Sequence, residues 1–289
     1  MIGAIIGDIV GSRFEFDEQP KDNFELFRPK PQCDYTDDSL MTIAVADAIL
    51  NGKSYQDKLH EWGRRYPNPK GAYGGMFAQW LADDHPKPQN SWGNGAAMRI
   101  APVGWLFDDY HEVLQQAQQC TICSHMHKEA IRGAQCVATV IYWLRTGRVT
   151  KEGLETAVER SFGYEIPPLR DIYKIGMQGH FDSSCQETVP WALRCFLESS
   201  SFEDAIRKAV MARGDTDTKV NNITLNRVRL NLRPQTHYKG GVYDKRPCRD
   251  EGFVRDKVYG LYVEKASAVT VDGLTVQAAP GIDYGGERN

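Results

Sequence analysis

Two short acidic clusters carry the chemistry this chain can offer: Thr36-Asp37-Asp38 and, far downstream, Gly214-Asp215-Thr216-Asp217-Thr218. Each packs carboxylates and a threonine hydroxyl into a few residues, the donor set that hard divalent cations prefer. At a loop-to-helix junction the first three residues can face one side, because the backbone turns there. Asp215 and Asp217 sit two apart in a glycine-led turn, so they can also share a face. Brought together, Asp37, Asp38, Asp215 and Asp217 with the hydroxyls of Thr36 and Thr218 over-supply one divalent ion with negative charge and balance two. Oxygen-only ligation favours magnesium, manganese or calcium over zinc. Taken singly, each cluster also fits an ordinary helix cap or turn. A softer grouping, Cys120-x-x-Cys123-Ser124-His125-Met126-His127, crowds its ligands into one helix end, which is poor geometry for zinc.

The elements that must position these groups are mostly helical. Leu40, Ile43, Ala44 and Ala48 fall at helical spacing behind a cap at Thr36 or Asp37, which predicts a helix over 36–50. Helical patterning also predicts helices over 53–66, 75–83, 110–122, 128–145, 151–161, 169–178, 186–198 and 202–212, the last with Ser201 as its cap. Residues 67–95 are rich in Gly, Pro and Asn and predict a long loop around one short helix, a feature more often functional than idle. After Lys219 the period changes to two: Ile223, Leu225, Val228, Leu230 and Leu232, then Val269, Val271, Leu274 and Val276. The segments 223–230 and 269–276 align with each other, like two rungs of a parallel β-helix.

Five segments in order resemble the ADP-ribosylglycohydrolase family, the group that includes dinitrogenase reductase-activating glycohydrolase. They are Gly7-Asp8-Ile9-Val10-Gly11 followed by Glu15; Thr36-Asp37-Asp38-Ser39; Gly93-Asn94-Gly95-Ala96-Ala97-Met98-Arg99; Ser124-His125 through Ala130; and Gly214 through Thr218. The resemblance covers residues 1–218. It implies a mainly α fold, an ADP-ribosylglycohydrolase-like helical domain, followed here by a short β-rich C-terminal segment at 219–289. It also implies a two-magnesium site, with manganese as a substitute, held by Thr36, Asp37, Asp38, Asp215, Asp217 and Thr218. Glu15 maps to a gating and catalytic glutamate, with Asp37 and Asp217 as catalytic carboxylates. Asn94, Gly95, Ala96, Ala97 and Met98 would hold a diphosphate through backbone N–H groups, and His125 would line the cleft. The implied reaction is hydrolysis of the N- or O-glycosidic bond of ADP-ribosylated proteins or small molecules, releasing ADP-ribose.

The chain departs from the family pattern in three places. Arg213 stands where a second glycine is usual, and Ala96 where serine or glycine is common. Lys219-Val-Asn-Asn and strand-like sequence follow Thr218, where relatives continue into an alanine-rich helix. A catalytically impaired protein that still binds metal or ADP-ribose is therefore the alternative expectation. A carbohydrate-binding tail is a third, resting on the β-helix likeness.

Composition narrows the classes. The 289 residues are 41% hydrophobic and 25% charged, typical of a globular protein. A net charge of −3 with scattered Lys and Arg gives no basic field for nucleic acid and no polybasic membrane patch. No apolar run approaches the roughly 20 residues of a spanning helix, and Asp8 interrupts the apolar start. Seven irregularly spaced cysteines suit reduced thiols, so a cytoplasmic protein is expected.

Overall fold

A computed structural model describes residues 2–16, 19–21 and 23–222, together with the strand segments 229–232, 242–244, 253–255 and 275–278. The chain divides into two compact units, Met1–Leu225 and Asn226–Asn289.

The named elements of the first unit are all helices. Its elements are α1 (Ile2–Gly11), α2 (Asp37–Leu50), α3 (Tyr55–Arg65), α4 (Gly75–Ala82), α5 (Gly95–Met98), α6 (Ala101–Leu106) and α7 (Tyr110–Ile122). They are followed by α8 (Lys128–Thr146), α9 (Leu154–Phe162), α10 (Leu169–Gly176), α11 (Cys185–Leu197), α12 (Phe202–Met211) and α13 (Thr216–Asn221). Side-chain caps set several entries. Thr36 accepts from the amide of Asp38, Ser54 from Asp57, Asp109 from Glu112 and Ser201 from Asp204. Each supplies an acceptor to an amide that the helix itself leaves unpaired. None of the helices is long and apolar enough to cross a membrane, among the described residues.

Two apolar clusters hold the unit together. The larger gathers Leu40, Leu59, Trp80, Ile100, Val137 and Ile141, and the smaller Val10, Phe14, Ile172, Trp191, Ile206 and Val220. Helix α2 contributes to the first and α13 to the second, so their N-termini meet at the boundary between the clusters.

Four helices lie outside the sequence prediction: α1, α5, α6 and α13. Glycines at 3, 7 and 11 lower the propensity of α1, yet the fold requires two of them. A Cβ on Gly7 would stand 2.5 Å from the carbonyl oxygen of Val220, and one on Gly11 would stand 2.6 Å from Asp217 Cα. Helices α1 and α13 therefore touch backbone to backbone. This contact carries the chain as helix past Thr218 to Asn221, which corrects the expectation that helix ends with the acidic cluster. Lys219 is fully buried, with its Nζ donating to the carbonyl of Arg213 at 2.7 Å and lying 4.6 Å from the Trp191 ring centre.

In the second unit, β1 (Arg229–Leu232) pairs in parallel with β4 (Thr275–Ala278), and β2 (Val242–Asp244) pairs antiparallel with β3 (Phe253–Arg255). Arg229 faces Thr275 and Leu230 faces Val276 in the parallel ladder. That is the same register in which segments 223–230 and 269–276 align as sequence. The leading parts of those segments, 223–228 and 269–274, lie outside the described residues.

Candidate functional site

The site begins with a carboxylate inside α1. Asp8 is fully buried and accepts three hydrogen bonds: from the Thr36 amide at 3.0 Å, the Thr36 hydroxyl at 2.7 Å and the Ser39 amide at 3.1 Å. The Thr36 hydroxyl in turn accepts from the Asp38 amide at 3.1 Å. Asp8 thus ties the N-terminus of α2 to α1. The first turn of α2 presents Asp37 and Asp38 to a cavity of about 370 Å³.

Asp215, Asp217 and Thr218 reach the same cavity from α13. The Thr218 hydroxyl donates to Asp38 at 3.3 Å, and Asn221 Nδ2 donates to the other Asp38 oxygen at 3.0 Å. Asp215 accepts from Asn94 Nδ2 at 2.7 Å, while its Oδ1 is buried and has no partner. One ligand atom each from Glu15, Asp215 and Asp217 lies within 4.8 Å of the others. Glu15 comes from the turn just after α1, and its neighbour Phe16 stacks on Phe181 at the cavity edge, centroids 5.6 Å apart.

So many carboxylates in one place repel one another. Burial, followed by the charge of Asp215, pushes the Glu15 carboxyl up to about 8. Burial and then Asp8 raise Asp37 to about 8. Asp38 and Asp217 are driven well above the usual carboxylate range, again first by burial and then by neighbouring carboxylates. Asp8 rises only to about 6, because its hydrogen bonds offset part of the burial cost. Such an array resists ionisation unless cations compensate it. The buried, unpartnered oxygen of Asp215 and the oxygen-only donors therefore fit hard divalent ions.

The sequence-predicted residues divide into three groups. Asp37, Asp38, Asp215, Asp217, Thr218 and Glu15 converge on the cavity, joined by Asn94, Gly95, Met98 and His125. Thr36 lies buried behind that wall, with its hydroxyl engaged in the cap. Ala96 and Ala97 are fully buried in the larger apolar cluster. The amides of Ala97 and Met98 bond to the carbonyl of Asn94, so they turn inward. Of the thiols in the soft grouping, burial pushes that of Cys120 up to about 12, which leaves it an inert core group.

Three parts of the site escaped the sequence reading as site residues: Asp8, Asn221 and Arg99. An acid interrupting an apolar run was a usable signal for Asp8. Asn221, three residues beyond Thr218 and four beyond Asp217, shares their helical face once α13 is known to continue. Arg213 explains its own departure. Its φ is +61° and that of Gly214 is +68°, the left-handed region where glycine is at ease and arginine is strained.

Comparison with known proteins follows this geometry. A family model described as ADP-ribosylglycohydrolase matches residues 1–219. An uncharacterized protein of Archaeoglobus fulgidus is 26% identical, over 75% of this chain and 82% of its own length. ADP-ribosylhydrolase ARH3 of Mus musculus is 24% identical, over 75% of this chain and 79% of its own. A solved structure titled "ADP-ribosylglycohydrolase-related protein complex" superposes with a TM-score of 0.58 at 21% identity, covering 76% of this chain and 81% of that one.

Proposed function

The chain belongs to the ADP-ribosylglycohydrolase family and is a hydrolase of that type, and on that premise we propose that it is a magnesium-dependent enzyme that cleaves the N- or O-glycosidic bond of ADP-ribosylated proteins or small molecules. The observation that carries the reading is the convergence of Glu15, Asp37, Asp38, Asp215 and Asp217 on one cavity, with a buried Asp215 oxygen left without a partner.

Thr36, Asp37, Asp38, Asp215, Asp217 and Thr218 would hold two magnesium ions, or manganese in their place. Bound there, such ions would supply Lewis acidity to ribose hydroxyls and water. The chain's own groups do the rest. Asp37 and Asp217 set negative charge against the positive charge that develops at the anomeric carbon. Glu15 reaches the cavity beside Asp215 and Asp217, where its carboxyl group is placed to deliver a proton to a leaving group. Glu15 sits on the turn after α1, which suits a group that swings to admit substrate.

Substrate placement follows from the opposite wall. Gly95 lines the cavity and its amide has no backbone partner outside α5 among the described residues, so this N–H is available to a diphosphate. A Cβ at position 95 would crowd His125 Nε2 at 3.3 Å, so glycine keeps that approach open. The exposed Phe16–Phe181 pair offers a flat apolar surface to a base.

The test is release of ADP-ribose from ADP-ribosylated arginine, serine and small-molecule substrates, with magnesium and with chelator. Release that depends on magnesium supports the proposal. Binding of ADP-ribose without release from any linkage would instead favour an impaired binding protein.

A further inference from the structure

The cavity wall carrying His125 is organised from behind by a buried cation. Arg99 is fully buried, and both of its hydrogen bonds leave from Nη2: to the carbonyl of Cys120 at 3.0 Å and to the Ser124 hydroxyl oxygen at 2.6 Å. Its Nε and Nη1 have no partner, so Ser124 is its one hydrogen-bonded side chain among the described residues. Ser124 Oγ also lies 2.8 Å from His125 Nδ1.

The direction of these bonds follows from counting protons. A guanidinium only donates, so Ser124 Oγ must accept from Arg99. Ser124 has one hydroxyl hydrogen, and the partner positioned to take it is His125 Nδ1. Its other neighbour, the Cys123 thiol, is a weak acceptor. With Nδ1 accepting, the ring proton of a neutral His125 must sit on Nε2. That nitrogen has no protein partner among the described residues and lies beside Gly95 at the cavity.

We propose that Arg99 and Ser124 are positioning residues that lock His125 in the Nε2–H tautomer, making it a fixed neutral donor to an anionic oxygen of the substrate, which, on the ADP-ribose reading above, is a diphosphate oxygen. Burial and the Arg99 charge together push the His125 pKa down to about 3, so the ring stays neutral across the physiological range. A neutral donor contributes a hydrogen bond next to the carboxylate array without competing with cations for it. The wrong tautomer would aim a lone pair at the diphosphate and repel it.

Nitrogen-15-labelled histidine in the magnesium-loaded protein reads the tautomer directly, with His125 assigned from the spectrum of His125→Gln. The wild type should show a neutral Nε2–H ring. Ser124→Ala should produce a mixture of tautomers and weaken ADP-ribose binding about tenfold, the loss of a hydrogen bond to a charged group. Magnesium affinity should not change. Ser124→Thr should restore the single tautomer and bring affinity within about twofold of wild type. An Nδ1–H ring in the wild type overturns the proposal. So does an Ala variant that keeps both the single tautomer and full affinity, or one whose tautomer switches with no change in affinity. If the tautomer responds as expected but the wild type binds no ADP-ribose, the relay stands and the ADP-ribose reading falls.

Discussion

The two acidic clusters reach the same cavity but are built differently. At the N-terminus of α2, Thr36 caps the helix and Asp8 accepts three hydrogen bonds from Thr36 and Ser39. At the N-terminus of α13, Asp215 makes no capping bond, and one of its oxygens is buried without a partner. The first half is anchored through Asp8, Thr36 and Ser39, so that Asp37 and Asp38 reach the cavity from a fixed helix end. The second half, with Glu15, keeps capacity turned towards the cavity. Both helix ends thus supply carboxylates but only the first is anchored by Asp8, and the bonds from Thr218 and Asn221 to Asp38 couple them.

Substitutions can break this division, and their expected effects fall in order. Asp217→Asn should lower kcat/KM on the order of a thousandfold with little loss of stability, because it removes charge from the open half. Comparable loss from Asp8→Asn at unchanged stability would mean that the anchoring carboxylate also acts at the cavity, and the contrast would fail.

Asp8→Ala should act the other way. It strands two amides and a hydroxyl in a buried site, costing about 3 kcal/mol or more in denaturant unfolding. Gly11→Ala should follow at about 1–3 kcal/mol, because its Cβ meets the backbone of α13. A Gly11→Ala protein with native stability and activity would show that α1 does not clamp the second cluster.

The raised carboxyl groups give a pH signature. In metal-free protein, Glu15 and Asp37 titrate near 8 when folded and near 4 when unfolded. Between those values the folded state binds more protons than the unfolded one. Stability therefore falls as pH rises from about 4 towards 8. Thermal melts in chelator should show that decline, and magnesium should raise the melting temperature more at pH 8 than at pH 5. Melts that are flat with pH in chelator would count against the clustering of unpaired carboxylates.

The smallest expected effect is a gain. Arg213→Gly should stabilise by about 0.5–1 kcal/mol by relieving a left-handed arginine. The bond from Lys219 survives, since it reaches the backbone carbonyl.

Much of this was legible in the chain. Helical spacing and capping residues marked α2 and α12, and helical patterning alone marked α7 and α8, because these signals are local. The acid clusters were legible because ligand chemistry needs particular residue types. The diphosphate loop was legible only in part: Asn94, Gly95 and Met98 line the cavity, whereas Ala96 and Ala97 are packed into the core. Nothing in a run of six residues says which amides point inward.

The sequence by itself determined the mainly helical class, the donor types and the family. Those follow from residue identity and from patterns within a few turns. Only the tertiary structure decided that α1 is a helix, that Asp8 anchors Thr36, that α13 runs to Asn221 and that Arg99 stands behind His125. Each depends on a contact between segments distant in the chain. Glycine on α1 disfavours helix locally, and the close approach of α13 requires that same glycine.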